Sequence, residues 1–254
     1  MGRRRKACKS RQTASVSSSR VNARKLFCYG HRGACGHEPE NTLRSVRKAL
    51  ELGADGVEVD VHFVDGQLMV IHDDTLERTT NGHGPVVGKT FAELRALDAG
   101  LGEQIPTLAE VIGAIQRNAL INVELKGPAT ATSVVKLIDE YVRELGWRYE
   151  DFLLSSFDHE RIRKVRQLNP EIRIAPLIDK LPHQLAEFAQ RLSAWSVNCS
   201  KRCVTESLIQ DAHSRGLEVF VYTVNDARDI ARVKSLGVDG VFSDFPERVV
   251  GHNG

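Results

Sequence analysis

Long apolar runs are missing from this sequence. No segment of about 20 consecutive apolar residues occurs in its 254 residues, which excludes a transmembrane helix. Cysteine is scarce as well, with five scattered residues, Cys8, Cys28, Cys35, Cys199 and Cys203. An odd number of dispersed cysteines argues against a disulfide framework and for a reducing compartment. We therefore expect a cytoplasmic protein without stable insertion in a membrane.

Acidic residues are absent before Glu38. Nine of the 35 lysines and arginines fall within residues 1–25, whereas all 33 acidic residues follow them. Residues 1–25 contain too little apolar material to pack, and they lack the apolar run of about 7–15 residues found in a secretory signal. We predict a basic, disordered tail, which leaves peripheral contact with anionic lipid open. The folded domain, residues 26–254, is acidic overall, and no nucleic-acid partner is expected.

Short β-branched runs alternate with amphipathic helical segments along the rest of the chain. This alternation is typical of α/β proteins with a parallel sheet, and the length suits one large core. Eight runs can be counted, which predicts a closed (β/α)8 TIM barrel. The runs are KLFCYG, GVEVDV, LINVEL, DFLLSS, IRIAPL, AWSVN, LEVFVYT and DGVFSD.

One interval breaks this alternation, between about residues 62 and 106. VDGQLMVIHDD indicates a tight hairpin around Asp65 and Gly66, and the polar, glycine-rich RTTNGHGPVVGKT follows it. We predict a small insertion after the second strand. Such an insertion would lie over the carboxyl ends of the strands, where barrel enzymes have their active sites.

Three carboxylates are predicted to point into the mouth of this barrel. Side chains alternate along a strand, so Glu58 and Asp60 share one face of GVEVDV, while the valines between them face the helices. In NVELKG, Glu124 and Lys126 share a face in the same way. Three inward carboxylates favour an all-oxygen site for Mg²⁺ or Ca²⁺. The alternative interpretation is an ion-pair network with Arg32 and Lys126.

Histidines are predicted at the same mouth. His31 follows the first strand and His72 follows the hairpin strand, while His62 shares the face of Glu58 and Asp60 and is interpreted as a substrate contact. Two histidines beside a hard divalent cation suit phosphoryl chemistry, since one can accept a proton from an attacking hydroxyl and the other can protonate the leaving alkoxide. Cationic side chains, Arg32 and Lys126, would bind the phosphate oxygens.

Seven segments, in order and at compatible spacing, resemble the glycerophosphodiester phosphodiesterase family from about Phe27 to Arg248. They are GHRGACGHEPENT, GADGVEVDVHFVDGQLMVIHDDTLERTTNGHG, IPTLAEV, NVELKG, SSFD, VYTVND and GVDGVFSDFP. The resemblance implies a phosphodiesterase barrel in which the 2-hydroxyl of glycerol attacks phosphorus and water opens the resulting cyclic phosphate. Many relatives carry tryptophan where VYTVN has Tyr222, which the resemblance places against the glycerol or the phosphate.

The resemblance also assigns roles to residues of this chain. They are an acid/base pair, His31 and His72; metal ligands, Glu58, Asp60 and Glu124; and phosphate contacts, Arg32 and Lys126. The predicted activity is metal-dependent hydrolysis of a small glycerophosphodiester to glycerol 3-phosphate and an alcohol. Two alternatives are lysophospholipase D-like hydrolysis of lysolipids and a barrel that binds phosphodiesters without hydrolysing them. Oligomeric state cannot be deduced from the sequence.

Overall fold

Eight parallel strands close into a barrel, and a ninth strand pairs antiparallel at one side. The computed structural model describes residues 25–253, so the predicted basic tail lies outside the described residues except for Lys25. The strands are β1 (Phe27–Gly30), β2 (Gly56–Val64), β3 (Gln67–Val70), β4 (Leu120–Leu125), β5 (Phe152–Ser156), β6 (Arg173–Ile178), β7 (Ser196–Ser200), β8 (Glu218–Tyr222) and β9 (Gly240–Ser243). Neighbours follow the order β1-β9-β8-β7-β6-β5-β4-β2, and β1 also pairs with β2, which closes the ring. The predicted (β/α)8 TIM barrel is confirmed.

Helices connect successive strands and cover the outside of the barrel. They are α1 (Leu43–Glu51), α2 (Phe91–Arg95), α3 (Leu108–Ile115), α4 (Thr130–Leu145), α5 (His159–Leu168), α6 (Glu187–Arg191), α7 (Glu206–Ser214), α8 (Ala227–Leu236) and α9 (Pro246–Val250), with short 3₁₀ turns at Tyr149–Asp151 and Gly251–Asn253. Side chains mark where they begin: the Thr107 hydroxyl accepts from the Glu110 N–H at 3.2 Å, and the Glu110 carboxylate caps in return. None of the described helices is long and apolar enough to cross a bilayer.

The insertion begins with the hairpin of β2 and β3. Asp65 and Gly66 form its turn at positive φ, and Val64 pairs with Gln67 across it. Residues 71–106 then form loops and the short helix α2, packed around a small apolar cluster that includes Met69, Leu76 and Leu94. This cluster holds the insertion against the carboxyl end of β2, the end from which His62 and the following residues emerge.

Outward and inward side chains form separate cores. Val57, Val59 and Val61 face the helices, as their alternation with the acidic residues predicts. Inside the barrel, Tyr29, Phe220 and Phe242 pack on one another; the Tyr29 and Phe242 ring centroids are 5.0 Å apart. These rings lie inside the barrel below the level of the carboxylates and form an apolar floor under the polar side chains at its mouth.

Candidate active site

The turn after β1 carries His31 and Arg32 in a tight conformation. Arg32 has φ of 51° and Gly33 has φ of 83°, in the left-handed region that glycine adopts without strain. A Cβ on Gly30 would lie 2.7 Å from the Ala49 Cβ, so this position has no space for a side chain. The glycines let the turn approach α1 closely and still present His31 and Arg32 to the cavity.

Three carboxylates meet across β2 and β4. Asp60 and Glu124 are direct neighbours in the parallel register, and Glu58 lies one inward position earlier on β2. One oxygen from each of the three lies within 4.8 Å of the others. Asp60 is 1 % exposed and Glu58 is 3 % exposed, so this oxygen cluster is almost completely buried.

Cations compensate part of this negative charge. The Asp60 carboxylate lies 3.4 Å from Nε of Arg32 and 3.0 Å from Nζ of Lys126, and Lys126 also donates to Glu124. Glu58 accepts the backbone N–H of Arg32 at 2.8 Å. Within residues 25–253, no lysine or arginine side chain lies within ion-pair distance of Glu58. The ion pairs of the alternative interpretation are therefore present, but they leave one buried carboxylate without a cation.

The pKa values of the cluster reflect this imbalance. Burial and then the charges of Asp60 and Glu124 raise the pKa of Glu58 well above its ordinary value. Burial and Asp60 raise the pKa of Glu124 to about 7 despite Lys126. Burial also opposes ionisation of Asp60, but Lys126 and Arg32 outweigh it and hold that pKa at about 2. The carboxylate oxygens thus have too little positive charge around them. A hard divalent cation, which prefers oxygen ligands, would supply it, and the cluster could hold such an ion.

His31 is held by hydrogen-bonded side chains from the end of β9 and from the β8–α8 loop. Its Nδ1 lies 2.6 Å from Oδ1 of Asp244, and because a carboxylate only accepts, Nδ1 carries a proton and Nε2 is the nitrogen with the lone pair in the neutral ring. Burial disfavours the Asp244 charge, but the bonds from His31, Cys35 and Asn225 hold its pKa well below the ordinary range. Asn225 donates to Oδ2 of Asp244 at 2.6 Å.

His72 is held by a second aspartate, its neighbour in sequence. Nδ1 of His72 is hydrogen-bonded to Asp73, and Arg78 donates to the same carboxylate at 2.6 Å and to Glu40 at 2.7 Å. Glu40 in turn binds Arg32 at 2.8 Å, so this network connects the two histidine-bearing loops. Burial lowers the pKa of His72, which favours the neutral ring in the absence of substrate.

His62 lies beneath His72, although its parity with Glu58 and Asp60 suggested a substrate contact. It is fully buried, and its Nε2 lies 3.4 Å from the His72 carbonyl. Its Nδ1 has no hydrogen-bond partner among the described residues. The structure thus places His62 behind the residues that line the cavity, and a substrate contact from it stays a prediction.

A cavity of about 210 Å³ opens at the carboxyl ends of the strands. Its polar lining includes both histidines, Arg32, Glu58 and Glu124, and its apolar and aromatic lining includes Phe157, Leu177, Tyr222 and Phe242. The Tyr222 hydroxyl donates to the Ile178 carbonyl at 2.7 Å, so the ring rather than the hydroxyl is offered to the cavity. A second cavity, of about 520 Å³, continues past His72, Glu124 and Lys126.

Several polar residues of the site were not singled out from the sequence. Asn41 donates to Asp60 at 2.9 Å, and Asp244, Asn225 and Asp73 hold the histidines as described. The position of two of them could have indicated a site role, since Asp244 directly follows β9 and Asn225 lies just beyond β8. A polar residue at the carboxyl end of a barrel strand is a candidate site residue wherever it occurs.

The fold and the residues at the mouth of the barrel define the chain as an enzyme of the (β/α)8 class. Residues 31–248 match the glycerophosphoryl diester phosphodiesterase family. A glycerophosphodiester phosphodiesterase of Caldanaerobacter subterraneus subsp. tengcongensis is 36% identical over 240 residues, covering 89% of this chain and 97% of the relative. Another from Bacillus altitudinis is 35% identical over 239 residues, covering 87% and 96%.

Solved structures are similar as well. An Oleispira antarctica phosphodiesterase, determined in complex with the product sn-glycerol-3-phosphate, has a TM-score of 0.80 and 30% identity, and the match covers 89% of this chain and 95% of that one. The chain therefore belongs to the glycerophosphoryl diester phosphodiesterase family, and its prediction as a phosphodiesterase is confirmed.

Proposed function

We propose that the protein hydrolyses glycerophosphodiesters to glycerol 3-phosphate and an alcohol, with His31 and His72 as the acid/base pair and a divalent cation as cofactor. One observation carries the proposal: two histidines, each bonded to an aspartate through Nδ1, line the same cavity as Glu58 and Glu124 of the three-carboxylate cluster. A phosphodiester that occupied this cavity would have a proton-transfer group and cationic side chains within reach.

The cation is proposed to bind Glu58, Asp60 and Glu124. An all-oxygen donor set favours Mg²⁺ or Ca²⁺ over softer metals, and the buried Glu58 carboxylate without a cation provides the reason to bind one. When bound, such an ion supplies positive charge to phosphate oxygens and makes a bound hydroxyl easier to deprotonate. Arg32 and Lys126 are proposed to add charge at the phosphate, because both lie beside these carboxylates.

The histidines are proposed to move the protons. Asp244 keeps the Nδ1 proton of His31 in place, so Nε2 is the atom that exchanges protons with substrate; Asp73 does the same for His72. One ring accepts the proton of the attacking hydroxyl, and the other donates a proton to the departing alkoxide. Both rings exchange roles when water completes hydrolysis, so each Nε2 must gain and lose a proton within one turnover.

Tyr222 is proposed to pack against the substrate. Its ring contacts Phe157 edge-on, with centroids 6.0 Å apart, and together they form a wall of the cavity. A cavity of about 210 Å³ suits a glycerol unit or a small headgroup, whereas an acyl chain would have to extend past Phe157, which is 50 % exposed. Water-soluble diesters are therefore favoured over lysolipids.

Substrate choice can be tested directly. The metal-stripped protein should be incubated with glycerophosphocholine, glycerophosphoethanolamine and a lysophosphatidylcholine, restoring Mg²⁺ or Ca²⁺ singly and measuring release of glycerol 3-phosphate or free choline. We expect turnover of the soluble diesters that depends on the added ion. Faster turnover of the lysolipid would favour lysophospholipase D-like action, and tight binding without turnover would favour a barrel that only binds phosphodiesters.

The cytoplasm is the location we propose. All four described cysteines, Cys28, Cys35, Cys199 and Cys203, are free thiols, as a reducing compartment maintains them.

A further inference from the structure

A second group of metal-binding atoms lies beside the carboxylate cluster. It consists of Nδ1 of His31, Sγ of Cys35 and Oδ1 of Asp244. The nitrogen lies 2.6 Å from the oxygen, the sulfur 3.0 Å from the oxygen, and the sulfur 3.9 Å from the nitrogen. Three different donor types thus meet at one point, brought together from the β1–α1 loop and from the end of β9.

We propose that His31, Cys35 and Asp244 form a binding site for Zn²⁺ or another thiophilic divalent ion, and that occupancy of this site inhibits the enzyme. We name it the thiolate site. It is distinct from the carboxylate cluster in its residues and in the metal that it would select.

The donor set is the reason for this selectivity. Thiolate and imidazole ligands favour Zn²⁺ and its softer neighbours, whereas Mg²⁺ and Ca²⁺ prefer oxygen ligands only. The charge balance suits any divalent ion, because one thiolate and one carboxylate neutralise it in a setting that is largely removed from solvent, and the donor types then select the metal. The carboxylate cluster offers no sulfur or nitrogen, so the two sites would select different metals.

The distances between the three donor atoms need little adjustment to hold a zinc ion. Tetrahedral zinc places an imidazole nitrogen, a thiolate sulfur and a carboxylate oxygen about 3.3–3.6 Å from one another, given its bond lengths of about 2.0–2.3 Å. The three observed separations bracket this range, and small side-chain rotations would equalise them. The Asp244 side chain is 24% exposed and that of His31 20%, so solvent reaches the site and a water molecule would supply the fourth ligand.

A hydrogen bond from a residue outside the three proposed ligands already orients the Asp244 carboxylate. Asn225 donates to Oδ2 of Asp244 at 2.6 Å, which leaves Oδ1 for the metal. Its own amide is fixed, because its carbonyl oxygen accepts the backbone N–H of Asp244 at 2.9 Å. Metal ligands in proteins are usually held by outer hydrogen bonds of this kind.

Inhibition follows from the proton balance at His31, and this step depends on the function proposed above. Zinc binding at Nδ1 displaces the single proton of the neutral ring, which moves through solvent to Nε2, while the Cys35 thiol proton is released, so that one proton leaves in all. The ring proton then sits on Nε2, and losing it would require an imidazolate. His31 could therefore no longer accept a proton from substrate.

The test uses the full-length protein with excess Mg²⁺ and two matched variants. Cys35→Ser keeps a hydroxyl that can bond to Asp244 but removes the thiolate, and Cys203→Ser is the control at a buried cysteine outside the proposed site. Titration with Co²⁺ or Cd²⁺ should give a thiolate-to-metal charge-transfer band in wild type and Cys203→Ser that is absent in Cys35→Ser. Zn²⁺ should inhibit diester hydrolysis in wild type, and Cys35→Ser should need at least about 10–100-fold more, the range that loss of even an outer partner causes.

Each outcome decides the proposal. A charge-transfer band that survives in Cys35→Ser, or that is lost in Cys203→Ser instead, overturns it. Equal sensitivity of wild type and Cys35→Ser to Zn²⁺ overturns the inhibitory role. If the wild-type protein hydrolyses no diester, the proposed function fails, yet the band and its dependence on Cys35 still show whether the thiolate site exists.

Discussion

Replacing Asp244 with asparagine should put the His31 proton on the wrong nitrogen. Asn225 cannot turn to suit the new side chain, because its carbonyl oxygen accepts from the Asp244 N–H at 2.9 Å and from the Ser243 hydroxyl at 3.2 Å. Its NH₂ therefore continues to face residue 244 and requires an acceptor there. The asparagine oxygen takes that place, and the asparagine NH₂ faces Nδ1 of His31. Since an NH₂ group only donates, Nδ1 must give up its proton, and the neutral ring carries it on Nε2.

The expected loss is that of a proton-transfer group in the wrong tautomer. We expect kcat to fall by about 10²–10⁴-fold, equivalent to about 3–5 kcal/mol of barrier, with little change in KM. Asp244→Ala should be less harmful than Asp244→Asn, because alanine removes the orienting carboxylate without imposing the wrong tautomer. Asp229→Asn is the control; that carboxylate binds Lys201 at 2.8 Å, outside the cavity.

Steady-state kinetics on a soluble diester would measure kcat and KM, and ¹⁵N NMR of the histidines would report the tautomer of His31. Near-normal turnover in Asp244→Asn would refute the reasoning. So would a histidine spectrum in which Nδ1 of His31 remains protonated after the substitution.

Four further predictions concern the metal, the histidines, acidity and the tail. Chelation should abolish activity, Mg²⁺ or Ca²⁺ should restore it, and Glu58→Gln should weaken ion binding in calorimetry while circular dichroism stays unchanged. His31→Ala and His72→Ala should each lower kcat by about 10²–10⁴-fold, and a diester with an acidic leaving group should rescue only the variant that lacks the general acid. In chelator, the Tm of wild type relative to that of Glu124→Gln should fall as pH rises between 4.5 and about 7, because the raised pKa of Glu124 lets the folded protein keep a proton that the unfolded chain has released; this comparison cancels the opposite contribution of His72, whose pKa is lowered, and a relative Tm that rises over that interval would contradict the prediction. Deleting residues 1–24 should leave Tm and turnover of a soluble diester nearly unchanged, since their composition offers little apolar surface for packing; a large loss of either would show that they dock on the barrel.

The barrel could be predicted from the sequence because the alternation of side chains that indicates it lies within single strands. GVEVDV alternates so regularly that the inward direction of Glu58 and Asp60 could be deduced from parity, and the valines that alternate with them lie in the helix-facing core as expected. The same rule suggested a substrate contact for His62. It gives the face of a residue but not its depth, and the insertion covers His62 with the backbone of His72.

Contacts between distant loops could not be derived in this way. His31 and Asp244 are 213 residues apart, and which loops meet depends on how the ring of strands closes. Asn41 is a similar case. It bonds to Asp60 from a left-handed backbone conformation, with φ of 57°, and the sequence of residues 39–42 (PENT) does not by itself predict that conformation. If every polar residue at the carboxyl end of a strand were treated as a site candidate, Asp244 and Asn225 would be found. The residues to which they bond would still not be known from the sequence.

The closure of the ring determines when the site can exist during synthesis. Strand β1 pairs with both β2 and β9, and the His31 N–H donates to the Ser243 carbonyl at 2.9 Å. A chain emerging from the ribosome exposes His31 and the three carboxylates long before β9 is made. Only after the last strand has left the exit tunnel and docked does His31 acquire the aspartate that sets its proton. A nascent polypeptide therefore lacks the pairing of His31 with Asp244 until β9 has docked against β1.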